Sequence, residues 1–302
     1  MSGIAGTRKA RIVAGFGRNH LADVGDGVPL PCVTRGKRTE VVCGDQVMLR
    51  PGQPAVIESV LPRRNTLWRQ DNWRSKVFAA NLDLVLAVVA AEPGPNLDLI
   101  GRAIIAAQAE DIPVAIVINK RDLPGTAALR AQLQPLQDAG YALIELAARA
   151  DPDDARATLR PWLEGRVSML LGASGVGKST LVNTLIPGLD VQTQAISTAL
   201  NAGRHTTTAT RLYHADDIGP GTALLDSPGF QSFGLQQLSV SQLQHAFPEL
   251  KRLNGQCRFN NCTHRQEPGC AVRAAVDTGE IAASRMALYL RVLQELLEAP
   301  VV

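Results

Sequence analysis

Up to about Arg69, apolar residues come in short runs cut by Gly, Pro and Asp: RIVAGFG, HLADV, VPLPCV, GDQVMLR and AVIESV. Runs of this length and spacing predict about five strands and a small β-barrel over residues 1–70. LPRRNTLWRQDNWRSK (Leu61–Lys76) interrupts the pattern with basic residues and two tryptophans, and reads as a linker able to contact RNA. From Asn81 the style changes. LDLVLAVVAA, IPVAIVINK, YALIEL, VSMLLG and GTALLDSPG are strand-length apolar runs, the last of them the final strand. DLIGRAIIAAQAE, AALRAQLQPLQDA, DDARATLRPWLEG and STLVNTLI have helical spacing, with a kink or break expected near Pro135. Strand and helix in alternation predict an α/β domain over 71–235, a parallel sheet covered on both faces. After Phe233 the pattern turns helical and loop-rich, giving an α-helical domain over 236–302. SVSQLQHAFPEL is a helix stopped near a proline. GEIAASRMALYLRVLQELLEA is a long closing helix whose stripe of Ile281, Met286, Leu290, Leu293 and Leu297 is expected to pack on its own domain.

Charge sharpens this division. Residues 1–76 carry 13 Lys/Arg and 6 Asp/Glu, net +7, and the remainder 18 and 22, net −4. A basic N-terminal module on a mildly acidic body points to a polyanionic partner. With 45% hydrophobic and 20% charged residues the chain can bury a core and is not of the disordered class. No apolar run approaches the ~18 residues of a membrane span, and the N-terminus lacks a signal-peptide apolar region. No membrane association and a cytoplasmic location are expected.

Three short motifs carry chemistry. Gly172-Ala173-Ser174-Gly175-Val176-Gly177-Lys178-Ser179 fits the phosphate-loop pattern, with an apolar strand before it and a helix beginning near Thr180 after it. Its glycines let backbone N–H groups turn inward around phosphate oxygens. Lys178 is placed for the β- and γ-phosphates and the Ser179 hydroxyl for Mg²⁺. Asn119-Lys120-Arg121-Asp122 ends a buried strand. A carboxylate there accepts the paired N1–H and 2-amino donors of guanine, which adenine lacks, so Asp122 selects GTP or GDP. Asn119 braces that loop and Lys120 lies along the base. Asp226-Ser227-Pro228-Gly229 ends a third strand, with Asp226 toward Mg²⁺ and the Gly229 N–H toward the γ-phosphate. In an ordinary GTPase the phosphate loop precedes the base-reading loop. Here it follows, and because binding depends on where loops sit in space, the order is that of a circular permutation.

Near the C-terminus, Cys257-x₄-Cys262-x-His264-x₅-Cys270 supplies three thiolates and an imidazole in a short polar loop, the donor set of one closed structural Zn²⁺ site. Cys32 and Cys43 stand alone and are expected to be packed residues.

A basic five-strand barrel, a permuted GTPase and a Cys/His tail together resemble the small-ribosomal-subunit-dependent GTPase A family (RsgA/YjeQ). The resemblance covers nearly the whole chain. It implies an OB-fold for the barrel and a late role in maturation of the small (30S) ribosomal subunit. It also implies binding to that subunit and its rRNA, with GTP turnover stimulated by it; a monomer is expected. The stretch Gly203–Thr208 (GRHTTT) resembles the family's first switch segment, so Thr207 or Thr208 is expected to close on Mg²⁺ and the γ-phosphate. Phe230 stands where many GTPases carry a water-orienting glutamine, and the resemblance suggests His205 for that task. The family's second base-side loop corresponds to Ala147-Ala148-Arg149, where the Ala148 N–H is expected to face the guanine O6 without the usual serine hydroxyl beside it. The alternatives are an RNA-binding assembly module that keeps GTP as a structural ligand, and a permuted GTPase acting on the large subunit.

Overall fold

The computed structural model describes residues 6–35, 40–71, 74–189, 191, 210–226, 233 and 235–298. Five strands, β1 (Arg8–Phe16), β2 (Asn19–Asp23), β3 (Leu30–Thr34), β4 (Gln46–Arg50) and β5 (Ala55–Val60), follow the predicted runs. They pair in the order β1-β2-β3-β5-β4, and an antiparallel β1–β4 ladder closes the barrel. Every other residue points inward, so Ala10, Ile12, Ala22, Cys32, Val47, Leu49, Ala55 and Ile57 fill the interior. Closure, this order and one parallel pair (β3 with β5) agree with the expected OB-type barrel.

The stretch read as a linker is structured. It supplies β6 (Thr66–Asp71) and the start of β7 (Arg74–Ala80), an antiparallel hairpin. Leu67, Phe78 and Ala79 bury its inner face, and Glu110 accepts hydrogen bonds from the Thr66 N–H and Oγ1, both at 3.1 Å. Tryptophans and arginines obscured the apolar residues of both strands, Leu67 packing in one core cluster and Trp68 against Val42, Val77 and Ala80 in another.

The parallel sheet contains β8 (Leu84–Val89), β9 (Val114–Ile118), β10 (Ala142–Glu145), β11 (Val167–Leu171) and β13 (Ala223–Asp226) in the order β10-β9-β8-β11-β13. Alternation along β8 explains its two covered faces. Leu84, Leu86 and Val88 pack with residues of α3 (Pro152–Leu163) and α4 (Lys178–Leu185). Ala87 and Val89 pack with α1 (Leu97–Gln108) and α2 (Thr126–Asp138). Helix α2 runs unbroken through Pro135, which falls in its last turn, where only one backbone bond is lost. The short strand β12 (Arg211–His214) was not foreseen, because four residues with one buried side chain carry no periodic signal. It lies antiparallel to β13 and meets β1 at Ala14↔Arg211, so barrel and central domain share one 11-stranded sheet.

The C-terminal helices are α5 (Val240–His245), α6 (Pro248–Lys251), α7 (Ala271–Asp277) and α8 (Ala283–Glu298). The Ser239–Gln242 capping box starts α5, and Pro248 opens α6 rather than ending the chain's helicity. The buried face of α8 is Met286, Leu288, Tyr289, Val292 and Leu293, while Leu297 is exposed. This face does not serve only its own domain. Leu288 sits over Gly101 of α1, Arg102 of α1 bonds Glu295 at 2.8 Å, and Arg291 pairs with Asp98 at 2.8 Å. Leu288 takes the space that a Cβ on Gly101 would occupy, and residues of both helices belong to one continuous core. No helix among the described residues is long and apolar enough to cross a membrane.

Arg285 of α8 fixes that junction. Its guanidinium, almost fully buried, bonds Glu249 of α6 at 2.6 Å and lies 4.6 Å from the Phe247 ring centroid and 5.8 Å from that of Tyr141 in the central domain. Removing one partner strands a buried charge, which typically costs about 3–5 kcal/mol. Glu249→Ala is expected to lower the denaturant midpoint of the intact protein accordingly. Paired replacement of both residues by apolar ones should cost far less, and unfolding curves of the two variants check this.

Candidate nucleotide site and metal centre

The C-terminal ends of β8, β9, β11 and β13 point to one edge of the sheet, where open α/β folds bind ligands. The loop from Gly172 to Gly177 follows β11 and enters α4. Gly175 and Gly177 have φ of 83° and 99°, in the region that glycine alone adopts without strain. Gly172 has no room for a Cβ because the Val88 carbonyl stands against it. This backbone leads into α4, placing Ser179 and Thr180 in its first turn, at its positive end. Lys178 is buried and its ammonium donates to the Gly172 and Ala173 carbonyls, both at 2.8 Å. Desolvation lowers its pKa, and the nearby Asp226 carboxylate at the end of β13 opposes the shift. An anion entering the loop would take over the ammonium from those carbonyls and offset the cost of its desolvation.

Asn119 ties the rotated motifs into one place. Its carboxamide is buried; Nδ2 donates to the Val176 carbonyl of the phosphate loop at 2.9 Å, and Oδ1 accepts from the Ala148 N–H at 3.1 Å. Residues 57 and 29 positions away are thereby clamped to the base loop. The Ala148 N–H, expected to face a guanine O6, is engaged by Asn119 here. The Ala148 carbonyl accepts from Thr184 Oγ1 of α4 at 3.0 Å, a support that no sequence spacing signalled. Lys120 has φ 60° and its ammonium donates to the Glu92 carbonyl at 2.9 Å. Asp122 is exposed at the rim, its carboxylate able to accept a donor pair from a base. Arg121 steadies the loop through Asp154, 3.0 Å away, and its N–H bonds the Leu146 carbonyl. His205, Thr207, Thr208, Gly229 and Phe230 lie outside the described residues.

The cysteine cluster also assembles. One donor atom from each of Cys257, Cys262, His264 and Cys270 lies within 4.8 Å of the others. Cys257 Sγ to Cys270 Sγ is 3.9 Å, and His264 Nδ1 lies 3.6 Å and 3.4 Å from Cys257 and Cys270 Sγ. Tetrahedral zinc bonds to sulfur and nitrogen imply edges of about 3.8 Å and about 3.6 Å, so the set fits one Zn²⁺ with no open position. Burial lowers the His264 pKa, with Glu267 opposing, which favours the neutral imidazole that a metal binds. The loop is braced from outside: Tyr289 Oη donates to the Thr263 carbonyl at 2.9 Å and Gln244 Nε2 to the Cys262 carbonyl at 2.8 Å. Cys32 and Cys43 are buried away from this cluster.

Residues 60–236 match the family model for the RsgA GTPase. The chain belongs to the RsgA GTPase family. It is therefore a GTP-hydrolysing enzyme, with the permuted motif order built into its fold. Similar proteins include the small ribosomal subunit biogenesis GTPase RsgA of Paraburkholderia phytofirmans, 49% identical over 292 residues, covering 94% of this chain and 92% of that one. The protein of the same name from Bordetella pertussis is 50% identical over 287 residues, covering 94% and 95%. Among solved structures, YjeQ from Thermotoga maritima superposes with a TM-score of 0.74 at 30% identity, over 97% of this chain and all of that one. YloQ, described as a circularly permuted GTPase, gives 0.71 at 20% identity over the full length of both chains, a likeness of fold alone.

Two outcomes are expected for this RsgA-family chain. Asn119→Ala unfastens the three loops and should weaken GTP and GDP binding by at least about tenfold, roughly 1.4 kcal/mol, as read by equilibrium titration with a fluorescent guanine nucleotide. Cys270→Ser should abolish stoichiometric zinc in the purified protein, as measured by elemental analysis, and lower its thermal midpoint.

Proposed function

We propose that this GTPase is a late maturation factor of the small (30S) ribosomal subunit. It binds the rRNA through its basic barrel and is stimulated to hydrolyse GTP by the subunit itself. The likeness over nearly the whole length to relatives named for small-subunit biogenesis carries this reading. The net +7 of residues 1–76 supplies the charge such a partner requires. The protein works in the cytoplasm, as a monomer and without a membrane. Its working parts are the barrel over 1–70, the GTPase over 71–235 and the zinc domain over 236–302.

In this reading GTP spans the cleft from Asp122, which takes the guanine N1–H and 2-amino group, to Lys178, which takes the β- and γ-phosphates. Lys120 lies against the base, and Asn119 and Ala148 hold the floor beneath it. Backbone N–H groups of Gly172, Ser174, Gly175, Val176 and Gly177 and the first turn at Ser179 and Thr180 cradle the phosphates. The Ser179 hydroxyl and Asp226 carboxylate are hard oxygen donors suited to Mg²⁺, which neutralises charge developing on the phosphates. Thr207 or Thr208 and the Gly229 N–H report the γ-phosphate. His205 orients the attacking water, since Phe230 cannot hydrogen-bond it.

Phe230 also favours a second reading, in which GTP is a structural ligand of an RNA-binding module and turns over too slowly to time anything. One experiment separates the two. GTP decay is followed under single-turnover conditions for wild type and His205→Ala, alone and with saturating small or large subunits. The proposal expects stimulation by small subunits only, and loss of most of that stimulation, about 100-fold or more, in His205→Ala. Equal decay with and without subunits would favour the structural ligand. Equal stimulated rates for the two proteins would remove His205 from the chemistry.

A further inference from the structure

β8 lies in the sheet between β9, which leads into Asn119, and β11, which leads into Gly172. A loop leaving the C-terminal end of β8 must therefore emerge between the base loop and the phosphate loop. The segment Ala91–Pro95 does so and touches both. On the base side, the Glu92 carbonyl accepts from Lys120 Nζ at 2.9 Å, and the Ala91 methyl stands 3.5 Å from where a Cβ on Gly125 would lie. On the phosphate side, the Pro93 ring stands 3.4 Å from where a Cβ on Gly175 would lie. The Gly94 N–H bonds the Ala91 carbonyl at 3.0 Å, closing the loop as a turn, and the Asn96 side chain then caps α1 by accepting from the Leu99 N–H at 3.0 Å. The segment is thus anchored by a turn bond within it and a helix cap just beyond it.

A lysine stem in water samples many rotamers, and that freedom is lost when it packs against a base. Here the left-handed backbone at Lys120 and the Glu92 carbonyl fix both ends of the stem before any nucleotide arrives. Pre-ordering of this kind strengthens binding without adding a contact to the ligand. The Pro93 ring lies against Gly175 of the phosphate loop, so one short segment reaches both loops.

We propose that Ala91–Pro95 is a positioning element of the nucleotide site: it holds Lys120 and the phosphate loop at a fixed spacing and so sets how long guanine nucleotide stays bound. The inference rests on the reading that GTP spans Asp122 and Lys178. Its effect falls on retention, because its contacts are with binding groups at Lys120 and Gly175.

The test is stopped-flow release of a ribose-labelled fluorescent GDP from the full-length protein, with steady-state GTP turnover alongside. Lys120→Met keeps the stem and removes the ammonium; Pro93→Gly frees the loop; Pro93→Ala is the milder version. Lys120→Met and Pro93→Gly should each speed release by about tenfold, with Pro93→Ala between wild type and Pro93→Gly. The double variant Lys120→Met/Pro93→Gly should release no faster than the quicker single one, because loosening either end frees the same bridging segment. For Pro93→Gly and Pro93→Ala, KM for GTP should rise with kcat changing less than twofold. Unchanged release in Lys120→Met or Pro93→Gly, or effects that multiply in the double variant, would overturn the inference. ATP competing as well as GTP on the wild type would overturn the reading of the cleft and the inference with it. Guanine selectivity with normal release in the variants would overturn the inference alone.

Discussion

The nucleotide cleft depends on one buried carboxamide. Asn119 spends its donor on the phosphate loop and its acceptor on the loop of Ala148, so three segments of the chain become one rim. A carboxamide suits this because it offers a donor and an acceptor in a rigid plane without a charge to desolvate. An aspartate there would carry no donor for the Val176 carbonyl and would bury a charge. The same contact shows why rotation of the motif order leaves the site intact. Hydrogen bonds across strand ends care about position in the sheet, and β8, β9 and β11 keep their neighbours whichever strand comes first.

Around that rim the flanking modules are fastened differently. The barrel joins through backbone, at the Ala14↔Arg211 pair, and through the His214–Asp23 contact at 2.7 Å and Arg211 lying over the Phe16 ring at 5.6 Å. These fall on β12, whose partner β13 ends at Asp226, and a second backbone seam pairs Cys43 with Ala79 at the end of the hairpin. The C-terminal helices join through side chains, at Gly101, Arg102 and Arg285. Removing metal from the knot would therefore release a loop braced by Tyr289 of α8 and would be felt along α8, the helix that contacts the central domain.

Much of the architecture was legible from periodicity. The five barrel runs, the apolar strands before Asn119, Gly172 and Asp226, and the helices between them have the lengths and alternation expected, because strands buried on two faces and helices buried on one face leave strong composition signals. The Cys/His cluster was legible for a different reason: a closed tetrahedral site needs four soft or borderline donors in a short loop, and few other needs concentrate them so. The hairpin at Thr66–Ala80 and the strand Arg211–His214 were not legible. One hides its apolar residues among arginines and tryptophans. The other is short and is made a strand by its two neighbours rather than by its own composition.

The sequence by itself determined the chemistry available. It specified a phosphate-loop pattern, a carboxylate of the kind that pairs with guanine, a zinc donor set and the order in which they appear, since each is written in residue types at short spacing. Only the tertiary structure decided which of these act together. That Asn119 clamps Val176 and Ala148, that Ala91–Pro95 contacts both Lys120 and Gly175, and that α8 packs on α1 over Gly101 are contacts between residues far apart in the chain. Such contacts are set by strand order and by the shapes of packed faces, which no local pattern records.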